Sequence, residues 1–245
     1  MSTILFVTPH LSTGGQPQYL LQQVNNLITT HQVYVAEWQD VTGGRFVVQR
    51  QQIAAILGDH FCTLSSDEAA LLALIEHLNP DIVHFQEIAE TFLPISAVSK
   101  IYASVAPYMV YETSHNSSRD FVLAKKYLPN KFVLVSPYQV SMYESLGVPC
   151  ELLEYVAEKK TRTTDRTTAL HRLNLDPNKR HILNVGLFTP GKNQGECFEI
   201  ARKFLNEPVV FHFVGNYADN FSNYWRPLLA NQPANCVVWG ERPDV

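Results

Sequence analysis

The chain is defined first by what it lacks. No apolar run in its 245 residues approaches the ~20 needed to span a bilayer. The N-terminal "ILFV" is strand-sized, with no basic segment before it, so it does not read as a secretion signal. The four cysteines, Cys62, Cys150, Cys197 and Cys236, form no CxxC pair and have no histidine at zinc-finger spacing. A metal site is therefore not expected, and a reducing compartment is the simpler setting. Positive charge is not in excess: the net charge is -4, which argues against a broad nucleic-acid footprint. The short basic run Lys159, Lys160, Arg162 and Arg166 reads as a solvated connector. Together these absences lead to the expectation of a soluble cytoplasmic protein. A content of 46% hydrophobic and 17% charged residues is ordinary for a chain that buries a core.

What is present is alternation. "TILFVT" is short, apolar and β-branched, as a strand buried on both faces should be. Leu20, Val24, Leu27 and Ile28 then recur at helical spacing. "HQVYVAEW" and "HFCTL" read as strands, with a helix ending at Gly58 between them. Ser65 and Glu68 have the spacing of a capping box before "AALLALIEHL". "PDIVHFQ", "YMVYETS" and "KFVLVS" follow as strands. "PISAVSKIYASV", "SRDFVLAKKYL" and "PYQVSMYESLG" read as helices. Such alternation predicts an α/β fold with a doubly wound parallel sheet.

The pattern stops at "EKKTRTTDR", Glu158 to Arg166, which has no apolar residue, and then resumes. "HILNVGLF", "PVVFHFVG" and "NCVVWG" read as strands, with "NQGECFEIARKFL" and "FSNYWRPLLAN" as helices. The expected organisation is a Rossmann-like domain at 1–155, a linker at 156–178 and the first part of a second Rossmann-like domain at 179–245. Three strands are about half of a usual doubly wound domain, so the second is expected to be incomplete, with an open edge that invites another chain.

Two turns carry candidate chemistry. In "TPHLSTGGQPQYLLQQV" the pair Gly14-Gly15 lies between strand and helix. The third glycine of a dinucleotide fingerprint is missing, and no Walker lysine follows. The residues leave two readings: a helix start whose free amides and closely approachable backbone hold an anionic group, or a tight strand-to-helix turn. In "NVGLFTPGKNQGE", Gly186 ends a strand and Thr189, Pro190, Gly191, Lys192 and Asn193 lead to a helix. A lysine beside a helix N-terminus opposes the helix dipole. It points either to an anionic ligand such as a diphosphate or to a solvated loop residue.

These stretches, with "PDIVHFQ", "MVYETSHNSS", "FHFVGNYADN" and "VVWGERPDV", resemble in order and spacing the retaining, nucleotide-sugar-dependent glycosyltransferases of the two-Rossmann-domain (GT-B) fold, family-4 type (glycosyl transferases group 1). The resemblance runs through almost the whole chain. It implies a hexosyltransferase-type transfer, with retention, from a nucleotide-diphosphate sugar to a carbohydrate, lipid or protein hydroxyl, with no metal and no nucleic acid involved. The acceptor would lie mostly on residues 1–155 and the donor's nucleoside diphosphate mostly on the second domain. It implies that Gly14, Gly15, Gly186 and Lys192 bind the donor and that His115 is the reaction-side residue. His115 follows a strand in the polar setting of Ser114, Asn116 and Ser117; read from the residues alone, it could equally be a surface or helix-capping histidine. His10, His84, Asn116 and Thr189 complete the candidate cleft.

The sequence departs from the family pattern in two ways. Leu187 stands where the family often has arginine, leaving Lys192 as the main cation for the leaving diphosphate. The family's paired glutamates would fall beyond Val245. The expectation is therefore a C-terminally truncated piece of a longer enzyme, or a chain completed by a partner. Two alternatives remain: a non-catalytic nucleotide-sugar-binding module or pseudoenzyme, and a sugar-nucleotide epimerase.

Overall fold

The computed structural model describes residues 1–12, 14–41, 47–103, 105–115, 118–156, 163–215 and 222–242. The chain divides into two compact units, Met1–Ala157 and Glu158–Val245.

The first unit alternates strand and helix: β1 Thr3–Thr8, α1 Gly15–Leu27, β2 Gln32–Glu37, α2 Val48–Leu57, β3 Phe61–Thr63, α3 Glu68–Leu78, β4 Ile82–Phe85, α4 Ile95–Ile101, β5 Met109–Ser114, α5 Arg119–Ala124, β6 Lys131–Leu134, α6 Pro137–Tyr143 and β7 Cys150–Leu152. All seven strands are parallel, in the order β3-β2-β1-β4-β5-β6-β7. The order reverses at β1, so the ends of β1 and β4 flank the switch point where open α/β sheets bind ligands.

Period-two side-chain alternation feeds two cores from one strand. Ile4 and Phe6 of β1 pack with Leu20, Leu21 and Val24 of α1 and Ile53 and Leu57 of α2. Leu5 and Val7 face the other way, into the layer holding Leu71 and Ile75 of α3 and Val98 and Ile101 of α4. This is why the strand reads as a continuous apolar run.

Three expectations change at the level of local structure. The cap of α3 is Asp67, whose carboxylate accepts from the Ala69 and Ala70 amides at 2.8 and 3.2 Å. Ser65 lies two residues too early, at φ 51°, and Glu68 binds Ser96 and Lys100 instead. Helix α5 stops at Ala124, well short of "KKYL". There Lys125 turns inward, with its Nζ 2.8 Å from the fully buried Glu112 and 2.9 Å from Glu90, while Glu90 also accepts from the Lys126 amide at 2.8 Å. The segment 156–178 contains a helix, α7 Arg166–Arg172. Asp165 caps it at the Thr168 amide, 3.0 Å away. Arg166 is exposed, as a solvated connector residue should be, and its guanidinium donates to the Lys179 carbonyl at 3.3 Å. Lys159, Lys160 and Arg162 lie outside the described residues.

After α7 the second unit continues with β8 Arg180–Val185, α8 Gln194–Lys203, β9 Val209–Val214, α9 Ser222–Ala230 and β10 Cys236–Gly240. Its parallel sheet has the order β10-β9-β8. Phe211 and Phe213 of β9 pack on one side with Phe198 of α8 and Trp225 of α9. Among the described residues β8 is an edge strand, and its Ile182, Leu183 and Val185 are exposed.

Candidate functional site

At the C-terminal end of the first sheet, the loop after β1 is pinned from below. Glu37, fully buried at the end of β2, accepts from the Leu11 amide at 2.9 Å. Its other oxygen takes Arg50 Nε at 2.9 Å and Thr63 Oγ1 at 3.1 Å. These charge-assisted bonds fix the loop. Above them Gln16 Nε2 donates to Thr8 Oγ1, and His10 Nδ1 lies 2.9 Å from Ser12 Oγ. His10 is shifted down by burial, against the opposing charge of Glu37.

The two glycines behave differently. Gly14 has φ 96°, and a side chain there would meet nothing within 4 Å. It is the N-cap of α1, which has neither a side-chain cap nor an acidic residue in its first turn. The helix therefore begins with uncompensated amides beside open space, as an anion site requires. Beside Gly15, by contrast, the space is filled by the chain itself. A Cβ there would lie 3.1 Å from Tyr155 Oη and 3.2 Å from Tyr155 Cε1. Close ligand approach, expected for both glycines, is open only at Gly14.

His115 leaves β5 beside this turn. Its Nδ1 is 2.6 Å from Tyr155 Oη, and its ring meets Tyr19 of α1 edge-on at 5.3 Å. Its Nε2 is buried without a hydrogen-bond partner among the described residues. Desolvation pulls its pKa down to about 4, so the imidazole is neutral at physiological pH. Glu87 lies close by, with its pKa raised by burial and held back by hydrogen bonds from the Ile88 and His115 amides.

His84 does not join this group. It is enclosed in the sheet between Phe6 and Tyr111, with Nε2 2.9 Å from Thr113 Oγ1. Burial, helped by the nearby His115, pulls it down to about 3. It is a satisfied core histidine. Asn116 and Ser117 lie outside the described residues.

In the second unit all three strands end on glycine: Gly186 and Gly215 directly follow β8 and β9, and Gly240 closes β10. All three have positive φ. A side chain on Gly215 would collide with the Gly186 carbonyl, so glycine is required there to let the ends of β8 and β9 approach. The Gly186 amide donates to Val214 O at 3.0 Å and the Gly215 amide to Gly240 O at 2.9 Å. Thr189 precedes a single 3-10 turn, Pro190–Lys192, and α8 starts without a side-chain cap. Lys192 is exposed, and its stem lies over Gly186, with Cδ and Cγ 3.8 Å from where a Cβ would be. Gly186, Thr189 and Lys192 thus gather at one strand end.

A cavity of about 340 Å³ in the same unit is lined by Leu173, Leu175, Leu183, His181, His212 and Trp239, among others. Trp239 Nε1 donates to His212 Nδ1 at 2.9 Å, His212 Nε2 is 2.9 Å from His181 Nδ1, and His181 Nε2 is 2.9 Å from the Asp176 carbonyl.

No family model matches the chain. Among curated proteins, a lipid-A-disaccharide synthase of Geobacter metallireducens is 29% identical over 154 residues, covering 62% of this chain and 37% of that protein. The chain thus spans little more than a third of that relative's length. Among solved structures, HepE of Anabaena in complex with UDP-glucose superposes with a TM-score of 0.73 at 13% identity, covering 100% of this chain and 70% of that one. The fold is GT-B. A glycosyltransferase of Rickettsia africae (TM-score 0.66, 20% identity, 99% and 69% coverage) and a sucrose-phosphate synthase of Thermosynechococcus elongatus (0.64, 13%, 99% and 71%) share this GT-B architecture. The second GT-B domain is incomplete, in keeping with its three described strands.

Proposed function

We propose that the chain is the acceptor-side domain and the first part of the donor-side domain of a retaining glycosyltransferase. In this reading a sugar passes from a nucleotide diphosphate to a hydroxyl of a carbohydrate, lipid or protein. The observation that carries it is the open space beside Gly14, at an uncapped helix start in the same unit as the neutral His115. Negative charge grows on the diphosphate as the sugar leaves. Fixed amides that already point at that charge stabilise it without reorganisation. Within the first unit the α1 amides supply such donors; within the second, taken by itself, the exposed Lys192 beside Gly186 supplies a cation. Donor departure of this kind needs no metal, so activity should survive a chelator.

The HepE complex with UDP-glucose makes that compound the first donor to try. Titration calorimetry with a panel of nucleotide sugars, each also scored for hydrolysis and for transfer to simple hydroxyl acceptors, tests the proposal. Transfer from at least one donor supports it, whereas absence of binding across the panel refutes it. The exposed apolar edge strand β8 favours a second reading, a nucleotide-sugar-binding module completed by further sequence or by another chain. Donor binding without transfer, with transfer gained in a longer chain, would select it. Isomerised donor in the absence of acceptor would instead indicate an epimerase.

A further inference from the structure

The Tyr155–His115 contact has more content than a packing interaction. At 2.6 Å between Oη and Nδ1 it is a short hydrogen bond, and two proton arrangements fit it. Either the phenol donates to Nδ1 and the imidazole proton sits on Nε2, or Nδ1–H donates to the phenolic oxygen. A phenol is a strong donor and a poor acceptor, while a neutral imidazole nitrogen is a strong acceptor, so the first arrangement is favoured. Both groups are in the required state. Burial and the nearby Glu87 charge push Tyr155 up to about 12, so it has its proton to give. Desolvation keeps His115 neutral, so it has a lone pair to receive it.

Tyr155 is also held in place rather than resting there. Tyr19 Oη donates to the Leu153 carbonyl at 3.0 Å and Gln22 Nε2 to the Val156 carbonyl at 2.6 Å. Both anchors come from α1, on either side of Tyr155 in the chain. The ring itself fits against Gly15, where a Cβ would press on Oη and Cε1. Finally, His115 Nε2 is buried and unpaired among the described residues, an uncommon state that calls for a function or a partner.

We propose that Tyr155 is a positioning residue for His115: its hydroxyl donates to Nδ1, holds the imidazole proton on Nε2, and so keeps one N–H in reserve for an oxygen acceptor of the bound sugar donor. Gly15 belongs to the same device, because a Cβ there would press on the tyrosine ring at 3.1 and 3.2 Å. The identity of the acceptor oxygen rests on the glycosyltransferase reading, whereas the proton arrangement does not.

The test is nitrogen NMR of the ¹⁵N-histidine-labelled chain near neutral pH, with the His115 signal assigned by its loss in His115→Gln. The expected wild-type spectrum has a protonated Nε2 and a bare Nδ1. Tyr155→Phe keeps the ring but removes the donor, and should convert His115 to a mixture of tautomers. Gly15→Ala keeps the hydroxyl but presses on it at 3.1 Å, and should shift the tautomers in the same direction to a smaller extent. Losing one such hydrogen bond should lower kcat about fivefold to tenfold, with a smaller change in KM for the donor. A wild-type His115 protonated on Nδ1, or a tautomer unchanged in Tyr155→Phe, overturns the proposal. If the tautomers behave as expected but the chain binds no nucleotide sugar, the positioning role stands and the glycosyltransferase reading falls.

Discussion

His84 should make the first unit acid-sensitive, by an amount that follows from its burial. It is 6% exposed and its pKa is pulled down to about 3, against about 6.5 in the unfolded chain. Between those two values the unfolded state binds the extra proton and the folded state does not. Stability is therefore full above about pH 6.5 and is lost progressively as the pH falls towards about 3. Going from about pH 7 to about pH 5 should remove about 2 kcal/mol through this residue alone. His115, depressed to about 4, should remove a similar amount over the same window. The clean comparison is wild type against His84→Gln, since glutamine can bond to Thr113 but does not titrate. Urea unfolding at both pH values gives the two losses. The variant should lose about 2 kcal/mol less than wild type, whatever its absolute stability. Equal losses would show that His84 takes up a proton in the fold as readily as in the unfolded chain.

Three further outcomes are expected. In a longer chain carrying this region, His115→Ala should remove sugar transfer far more than it lowers the thermal melt; wild-type turnover would remove His115 from the reaction. Lys192→Ala should weaken nucleoside-diphosphate binding about tenfold, as loss of a charge-assisted contact does, and less so at high salt because the lysine is exposed; equal affinities by calorimetry would show a solvated side chain only. Lys125→Met should cost about 3–5 kcal/mol in chemical unfolding, because it leaves Glu112 charged and buried without its partner; a cost below about 1 kcal/mol would mean the Glu112 carboxyl is readily neutralised.

The strands were legible because burial on both faces writes a short, unbroken apolar word, as "TILFVT" and "PVVFHFV" show. β7 is not legible because its Glu151 and Leu152 are exposed, so it carries no buried apolar word. α7 was hidden by its polar sequence: only Leu170 is buried, so the helix has no apolar stripe. The end of α5 could not be read from "LAKKYL", since the cause is a charge pairing with Glu112, thirteen residues back, and Glu90, thirty-five back. The site divides in the same way. The Gly14 turn, Lys192 and His115 carry local signals. Tyr155, forty residues from His115, has none, nor does Glu37, which serves the loop from a neighbouring strand. Gly215 and Gly240 leave the same trace as Gly186, since each described strand of the second unit runs into glycine.

The Trp239–His212–His181 chain makes one of the three tryptophans a reporter on the second unit. The indole N–H has claimed Nδ1 of His212, so a second proton on that imidazole must break the contact. Burial and the adjacent His181 hold the His212 pKa down, which places the break in acid solution. An imidazolium against an indole quenches its emission. Tryptophan fluorescence should therefore dim on acidification before the unit unfolds, and ligands that enter the neighbouring cavity should shift the pH at which it dims, with no label attached to the protein.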